Sequence, residues 1–104
     1  MNIIGMQEIE RLYSPGIGRH WFDTDTMRFF RSHLADVGYQ RGDGPIYFVT
    51  SEKGPHMKRA YTVRCLTGPK GDIKTVGEFQ AFGTSATATK YAKGYASGNI
   101  APPA

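Results

Sequence analysis

The predicted fold is organised around residues 59–82, RAYTVRCLTGPKGDIKTVGEFQAF. Its first part, residues 59–66, is rich in residues that favour β-strands, among them Tyr61 and Val63. Residues 67–72, TGPKGD, are residues typical of turns, and residues 73–82 form a second β-rich run. The stretch therefore predicts two antiparallel strands. Because the turn segment exceeds a two-residue hairpin loop, we expect a longer loop or a bulge between them.

The composition indicates a single globular domain. A chain of 104 residues with 39% hydrophobic and 21% charged residues has the size and composition of one such domain. We expect residues 1–96 to form it and residues 97–104, SGNIAPPA, to be a disordered tail. The sequence shows neither a secretory signal pattern nor a run approaching the roughly 20 apolar residues of a membrane span. We therefore expect a protein of the cytoplasm of whatever cell expresses it, without a membrane partner.

Two helices are predicted in the N-terminal part of the chain. Ile3, Met6 and Ile9 recur at helical spacing, which predicts an amphipathic helix over residues 2–13. A second helix is predicted over residues 25–37, after a run of Asp and Thr that can cap its first turn.

The rest of the chain predicts a third strand and a last helix. Residues 38–45 are expected to form a loop and residues 46–51, IYFVTS, a strand. A helix is predicted over residues 84–95, capped by Thr84 or Ser85. The expected fold is α+β, a three-stranded antiparallel sheet packed against two to three helices in the order α-α-β-β-β-α.

Alternation along the two strands of the hairpin predicts which side chains share a face of the sheet. One face is expected to lie against the helices, and it carries Tyr61, Val63, Cys65, Ile73 and Phe79. The other is expected to be open and to carry Thr62, Arg64, Lys74, Glu78 and Gln80. A mixed polar, partly basic open face is a candidate docking surface.

The sequence carries no motif that indicates catalysis. A nucleophile elbow, a phosphate-binding loop and a zinc-protease helix motif are all missing. His20, His33 and His56 lie far apart without the spacing of zinc ligands, and Cys65 is expected to be a buried small residue. We therefore expect a protein that is not an enzyme and that uses no metal and no cofactor.

Positive charge is concentrated in the C-terminal part of the chain. The formal net charge is +4, with −1 in residues 1–44 and +5 in residues 45–104. Such an excess indicates a nucleic-acid partner or an acidic protein surface, although ordinary solubility charge explains it as well. The candidate binding residues are Arg28, Arg31, Lys53, Lys58, Arg59, Arg64 and Lys74.

Two resemblances rest on short motifs. YTVR at 61–64, VGEF at 76–79 and the Ala-rich helix after Thr84 resemble small DNA-binding modules of the AP2 and integrase-arm type. That resemblance implies DNA reading by basic residues on the open sheet face, where Arg64 and Lys74 would match the role.

A second resemblance covers residues 22–82. FDTDTMRFFRS at 22–32, YFVTSE at 47–52, YTVR at 61–64 and TVGEFQ at 75–80 are similar to a family of short uncharacterised proteins of phages and bacterial mobile elements. The last helix departs from that family, which usually carries charged residues where this chain has ATAT at 86–89.

These observations lead to two functional hypotheses. The first is a non-catalytic accessory protein that binds a host protein or ribonucleoprotein complex, as an anti-defence inhibitor of the anti-CRISPR kind. The alternative is direct binding of DNA or RNA through the open sheet face and the loop of residues 53–59. A homodimer is left open by the sequence.

Overall fold

The computed structural model describes residues 1–12, 37–52, 56, 58–67 and 73–103. Within these residues the chain forms five strands and two helices. In chain order they are β1 (Asn2–Gly5), α1 (Met6–Leu12), β2 (Val37–Gln40), β3 (Ile46–Glu52), β4 (Ala60–Leu66), β5 (Ile73–Val76) and α2 (Ser85–Ser97).

The strands form one antiparallel sheet in the order β1-β2-β3-β4-β5. Its centre is the β3–β4 pair, in which Ile46 lies opposite Leu66 and Phe48 opposite Arg64. The predicted hairpin within residues 59–82 is confirmed, because β4 and β5 pair directly and Leu66 lies opposite Ile73. A bridge between Tyr61 and Phe82 continues this pairing beyond β5.

The sheet carries a hydrophobic layer on each face, because alternate residues of a strand point to opposite faces. On one face α2 packs through Ala88 and Ala92, whose small side chains allow a close approach to the strands. The sheet residues buried on that face are Tyr39, Tyr47, Val49, Val63 and Cys65. On the opposite face Ile9 of α1 packs with Ile46, Phe48, Leu66 and Ile73.

Helix α2 has a defined cap at each end. The side chain of Thr84 accepts a hydrogen bond from the Thr87 amide at 3.2 Å, which confirms the predicted capping by Thr84. At the other end Gly98 adopts a left-handed conformation with φ 85°, which a residue with a side chain rarely adopts. Both caps satisfy backbone groups that helix ends leave without partners.

The predicted three-stranded sheet with two to three helices is wrong, since the described residues form a five-stranded sheet with one long helix and one short helix. Residues 2–5 belong to a strand rather than to a helix, because they pair with residues 37–40. The helix predicted over residues 2–13 therefore begins only at Met6. Strand pairing between these two distant segments therefore outweighs the helical spacing of Ile3, Met6 and Ile9.

Two further element predictions concern the segment before β3. The predicted loop of residues 38–45 contains most of β2, because Gly38-Tyr39-Gln40 pairs on one side with β1 and Tyr39-Gln40 on the other with β3. The helix predicted over residues 25–37 lies outside the described residues except for Val37, which begins β2.

Part of the predicted division of side chains between the two faces is also wrong. Ile73 lies opposite Leu66, so it shares the face away from α2 and not the face of Cys65. Lys74 lies opposite Cys65 and therefore falls on the α2 side. Phe79 follows β5, which ends at Val76, and 58% of its surface is exposed.

Neither α1 nor α2, the helices of the described segments, has the length and apolar character needed to cross a membrane.

Candidate binding groove

An open groove of about 810 Å³ runs along one side of α2. Helical spacing produces it, since residues three and four apart lie on one side of a helix. The helix residues that line it are Ala86, Thr89, Lys90, Lys93, Gly94 and Ser97. Met1, Asn99 and Ile100 complete the lining. We call this surface the α2 groove.

One wall of the α2 groove depends on Gly94. The Ile100 amide donates a hydrogen bond to the Gly94 carbonyl at 3.1 Å, which folds the chain after α2 back against the helix. A Cβ atom on residue 94 would lie 2.3 Å from Cδ1 of Ile100. Glycine at this position therefore lets Ile100 seat directly on the helix backbone.

The end of α2 beside the groove is held by a basic side chain. Nη1 of Arg41 donates to the Ser97 carbonyl at 2.9 Å, across 56 residues of sequence. A cation at a helix C-terminus is favoured by the helix dipole. This contact ties the groove to the turn that follows β2.

The side of the groove nearest β1 combines apolar surface with a cation. Ile3 lies opposite Tyr39, so its side chain points to the α2 face of the sheet. Nζ of Lys93 lies 5.4 Å from the centre of the Tyr39 ring, a cation–π arrangement. Met1 and Ile3 are 59% and 67% exposed, so this apolar surface is open to a ligand.

The electrostatic potential of the groove is set by Lys90 and Lys93. The chain contains no Asp or Glu after Glu78, and α2 carries these two lysines without an acidic neighbour on the helix. Both lysines are exposed. The α2 groove is thus an apolar depression with two positive charges and suits a ligand that is partly apolar and negatively charged.

The structure distributes the sequence-predicted binding residues over distant positions. Arg28, Arg31 and Lys53 lie outside the described residues. Lys58 and Lys74 are exposed, and half-buried Arg59 donates to the Ser51 hydroxyl at 2.9 Å. Arg59 directly precedes β4. Lys74 of β5 lies opposite Cys65, near the other end of β4, so the two basic residues are about 20 Å apart along the strand direction.

Arg64, another predicted binding residue, is only 2% exposed. Its Nε donates to the Thr50 hydroxyl at 2.8 Å, and its Nη1 donates to the Thr75 hydroxyl. Its guanidinium carbon lies 5.4 Å from the centre of the Phe79 ring. Arg64 therefore links β3, β4, β5 and the segment after β5 from within the protein.

The layer beneath α2 holds polar atoms that stay protonated at neutral pH. Burial raises the pKa of the Cys65 thiol and of the Tyr47 hydroxyl, which belong to directly opposed residues of β4 and β3. Burial also raises the pKa of Tyr95, whose ring lies 5.7 Å from that of Tyr47. A protonated, buried thiol is a poor nucleophile, so Cys65 serves the packing.

Within the described part of the chain, no group of three or more His, Cys, Asp or Glu side chains is placed to hold a metal ion.

Sequence reasoning did not predict as binding residues four that give the α2 groove its charge and much of its apolar surface, namely Met1, Lys90, Lys93 and Ile100. One signal was present, because two lysines three positions apart follow the last acidic residue of the chain. Met1 and Ile100 carry no such signal, since only the folded chain brings both ends of the sequence to α2.

Comparisons with curated proteins and with solved structures find no significant match. One family model matches residues 5–93, which is most of the chain and includes β2 to β5 and the greater part of α2. The chain therefore belongs to DUF7447, a family of unknown function.

Proposed function

We propose that this protein is a non-catalytic binding module that holds an acidic, partly apolar segment of a partner protein in the α2 groove. The observation that carries the proposal is the lining of the groove. Apolar Met1, Ala86 and Ile100 lie beside Lys90 and Lys93, and α2 has no acidic side chain to oppose them. Apolar contacts would supply affinity, and the lysines would select an acidic partner.

The lining favours a protein segment over a nucleic acid. Proteins that bind single strands combine a basic groove with aromatic side chains on which bases stack. None of the described residues that line the α2 groove is aromatic. The apolar lining residues Met1, Ala86 and Ile100 suit contact with aliphatic side chains of a peptide better than contact with a phosphate backbone.

The motif resemblance of residues 22–82 to short phage and mobile-element proteins supports a partner from a bacterial host. A small protein that covers an acidic surface of a host protein or ribonucleoprotein complex would inhibit that complex without catalysis, as anti-CRISPR proteins do. Under this proposal the protein acts in the cytoplasm of the host cell.

The test compares two double charge reversals of equal net charge. Lys90→Glu with Lys93→Glu changes the α2 groove, whereas Lys58→Glu with Lys74→Glu changes exposed lysines outside it. The probe is a fluorescent eight-residue peptide of alternating valine and glutamate, and binding is followed by anisotropy. We expect the groove variant to bind about tenfold more weakly than the wild type, because two favourable charge contacts become repulsive.

The matched variant should retain most of the affinity, apart from a small loss from the altered net charge. Equal losses in the two variants would contradict a specific groove and indicate general attraction between opposite charges.

The alternative function, direct binding of DNA or RNA, is tested with labelled single- and double-stranded oligonucleotides between about 50 and 200 mM salt. Tight, salt-dependent binding that is lost in the Lys58/Lys74 variant would replace the groove proposal with direct nucleic-acid binding.

A further inference from the structure

Strand β1 lies at an edge of the sheet beside the α2 groove. In the described part of the chain it pairs with β2 on one side and with no strand on the other. Every second residue of such a strand directs its backbone N–H and C=O away from the sheet. An edge of this kind is a template on which another extended chain can form hydrogen bonds.

The two edges of the sheet differ in how they are protected. Charged side chains and prolines discourage pairing at sheet edges. Strand β5, at the other edge, carries the exposed Lys74. Strand β1, with the sequence NIIG, has no charge and no proline, and its Ile3 is 67% exposed. Among the described residues, nothing pairs with the outer side of β1, so this edge is available to an added strand.

The position of β1 connects this edge to the α2 groove. Met1, which lines the groove, directly precedes β1, and Ile3 points to the same face of the sheet as Tyr39. Lys93 lies over Tyr39. A strand added beyond β1 would lie about 10 Å from β2, so its acidic side chains on this face would reach toward Lys93.

We propose that the ligand of the α2 groove binds as an extended strand that adds to β1, with acidic and apolar side chains alternating along it. This inference rests on the proposed function and specifies the conformation of the ligand. Main-chain hydrogen bonds to β1 would supply affinity, as in other cases of strand addition. The acidic set of alternate side chains would lie on the α2 side of the sheet, beside Ile3, and extend toward Lys90 and Lys93, whereas the apolar set would lie on the opposite face, beside Ile4.

The experiment uses two peptides of equal charge and the intact chain. One is the eight-residue peptide of alternating valine and glutamate, and the other has proline in place of its two central valines. Proline removes backbone donors, so we expect the second peptide to bind about tenfold more weakly. Hydrogen exchange of the protein is measured with saturating alternating peptide, and alternate amides of β1 should exchange about tenfold more slowly.

The amides of β5 provide the internal control, because its edge lies at the other side of the sheet. Peptide binding that depends on Lys90 and Lys93 but leaves β1 exchange unchanged would overturn strand addition and leave the groove proposal intact. Failure of both peptides to bind at about 1 mM would overturn the groove proposal itself. Protection of β1 that rises with protein concentration in the absence of peptide would assign the edge to a second copy and also overturn the inference.

Discussion

Arg64 is a charged residue in the interior of the sheet, where it joins three strands through side-chain hydrogen bonds. Its guanidinium donates to the hydroxyls of Thr50 on β3 and Thr75 on β5. The planar guanidinium offers donors in a fixed geometry and can also face the Phe79 ring. Lysine has the same charge but a single nitrogen, so it cannot reproduce this set of contacts.

We therefore predict that Arg64→Lys lowers the free energy of unfolding by about 1–3 kcal/mol, the cost of losing buried hydrogen bonds to a charged group. Urea denaturation followed by circular dichroism measures the change. Lys58→Ala, at an exposed cation, is the control and should change the free energy of unfolding by less than about 0.5 kcal/mol. Equal stabilities of Arg64→Lys and the wild type would show that the hydrogen bonds of Arg64 do not stabilise the fold.

At the scale of elements, the docking of α1 onto the sheet depends on a close approach at Gly38 of β2. A Cβ atom on residue 38 would lie 2.7 Å from Cγ2 of Ile46 and 2.8 Å from Cδ1 of Ile9. Both isoleucines are buried, so neither can move without disturbing the core. A glycine in β2 thus allows a helix and two strands to meet.

We predict that Gly38→Ala destabilises the protein by about 1–3 kcal/mol through overpacking. Gly5→Ala in β1 is the matched control, because a Cβ atom there meets no atom within 4 Å. Thermal denaturation of both variants should show a lower midpoint for Gly38→Ala and a midpoint near that of the wild type for Gly5→Ala. A similar midpoint for the two variants would mean that the core beneath Gly38 adapts to an added methyl group.

The elements predicted correctly from sequence are those with strong local signals. In the β4–β5 hairpin a segment rich in residues that favour turns separates two β-forming runs, and α2 has Thr84 at its start. Strands β1 and β2 have four residues each; β1 pairs with β2, and β2 also pairs with β3. A strand of four residues is too short to show a clear alternation of apolar and polar side chains, and a distant pairing partner leaves no local signal in the sequence.

The α2 groove was unpredictable for a similar reason. Local sequence shows that Lys90 and Lys93 share a side of α2, but it does not show that Met1 and Ile100 lie next to them. Arg64 was predicted to lie on an open face because strand alternation assigns a residue to a face and says nothing of what covers that face. Burial is a property of the folded chain.

At the scale of the whole molecule, the layer between α2 and the sheet makes stability depend on pH in the alkaline range. Burial raises the pKa of Cys65, Tyr47 and Tyr95 above their ordinary values of 9.0 for the thiol and 10.0 for the hydroxyls. The folded state therefore holds these protons more tightly than the unfolded state does. The stabilisation is fully present below about pH 9 and is lost as the pH rises through the raised pKa values.

We predict that the free energy of unfolding, measured by urea denaturation from about pH 7 to pH 11, is constant at first and then falls. Tyr95→Phe removes one of the three ionisable groups while keeping the ring that packs against Tyr47. The free energy of unfolding of this variant should therefore fall less steeply above pH 10 than that of the wild type. A free energy of unfolding that stays constant or rises over the alkaline range would contradict the burial of these groups.

The same pH series can also be measured for peptide binding, because α2 carries Tyr95 on its buried side and Lys93 on its exposed side. Loss of α2 packing at high pH should therefore abolish binding of the valine–glutamate peptide together with the fold.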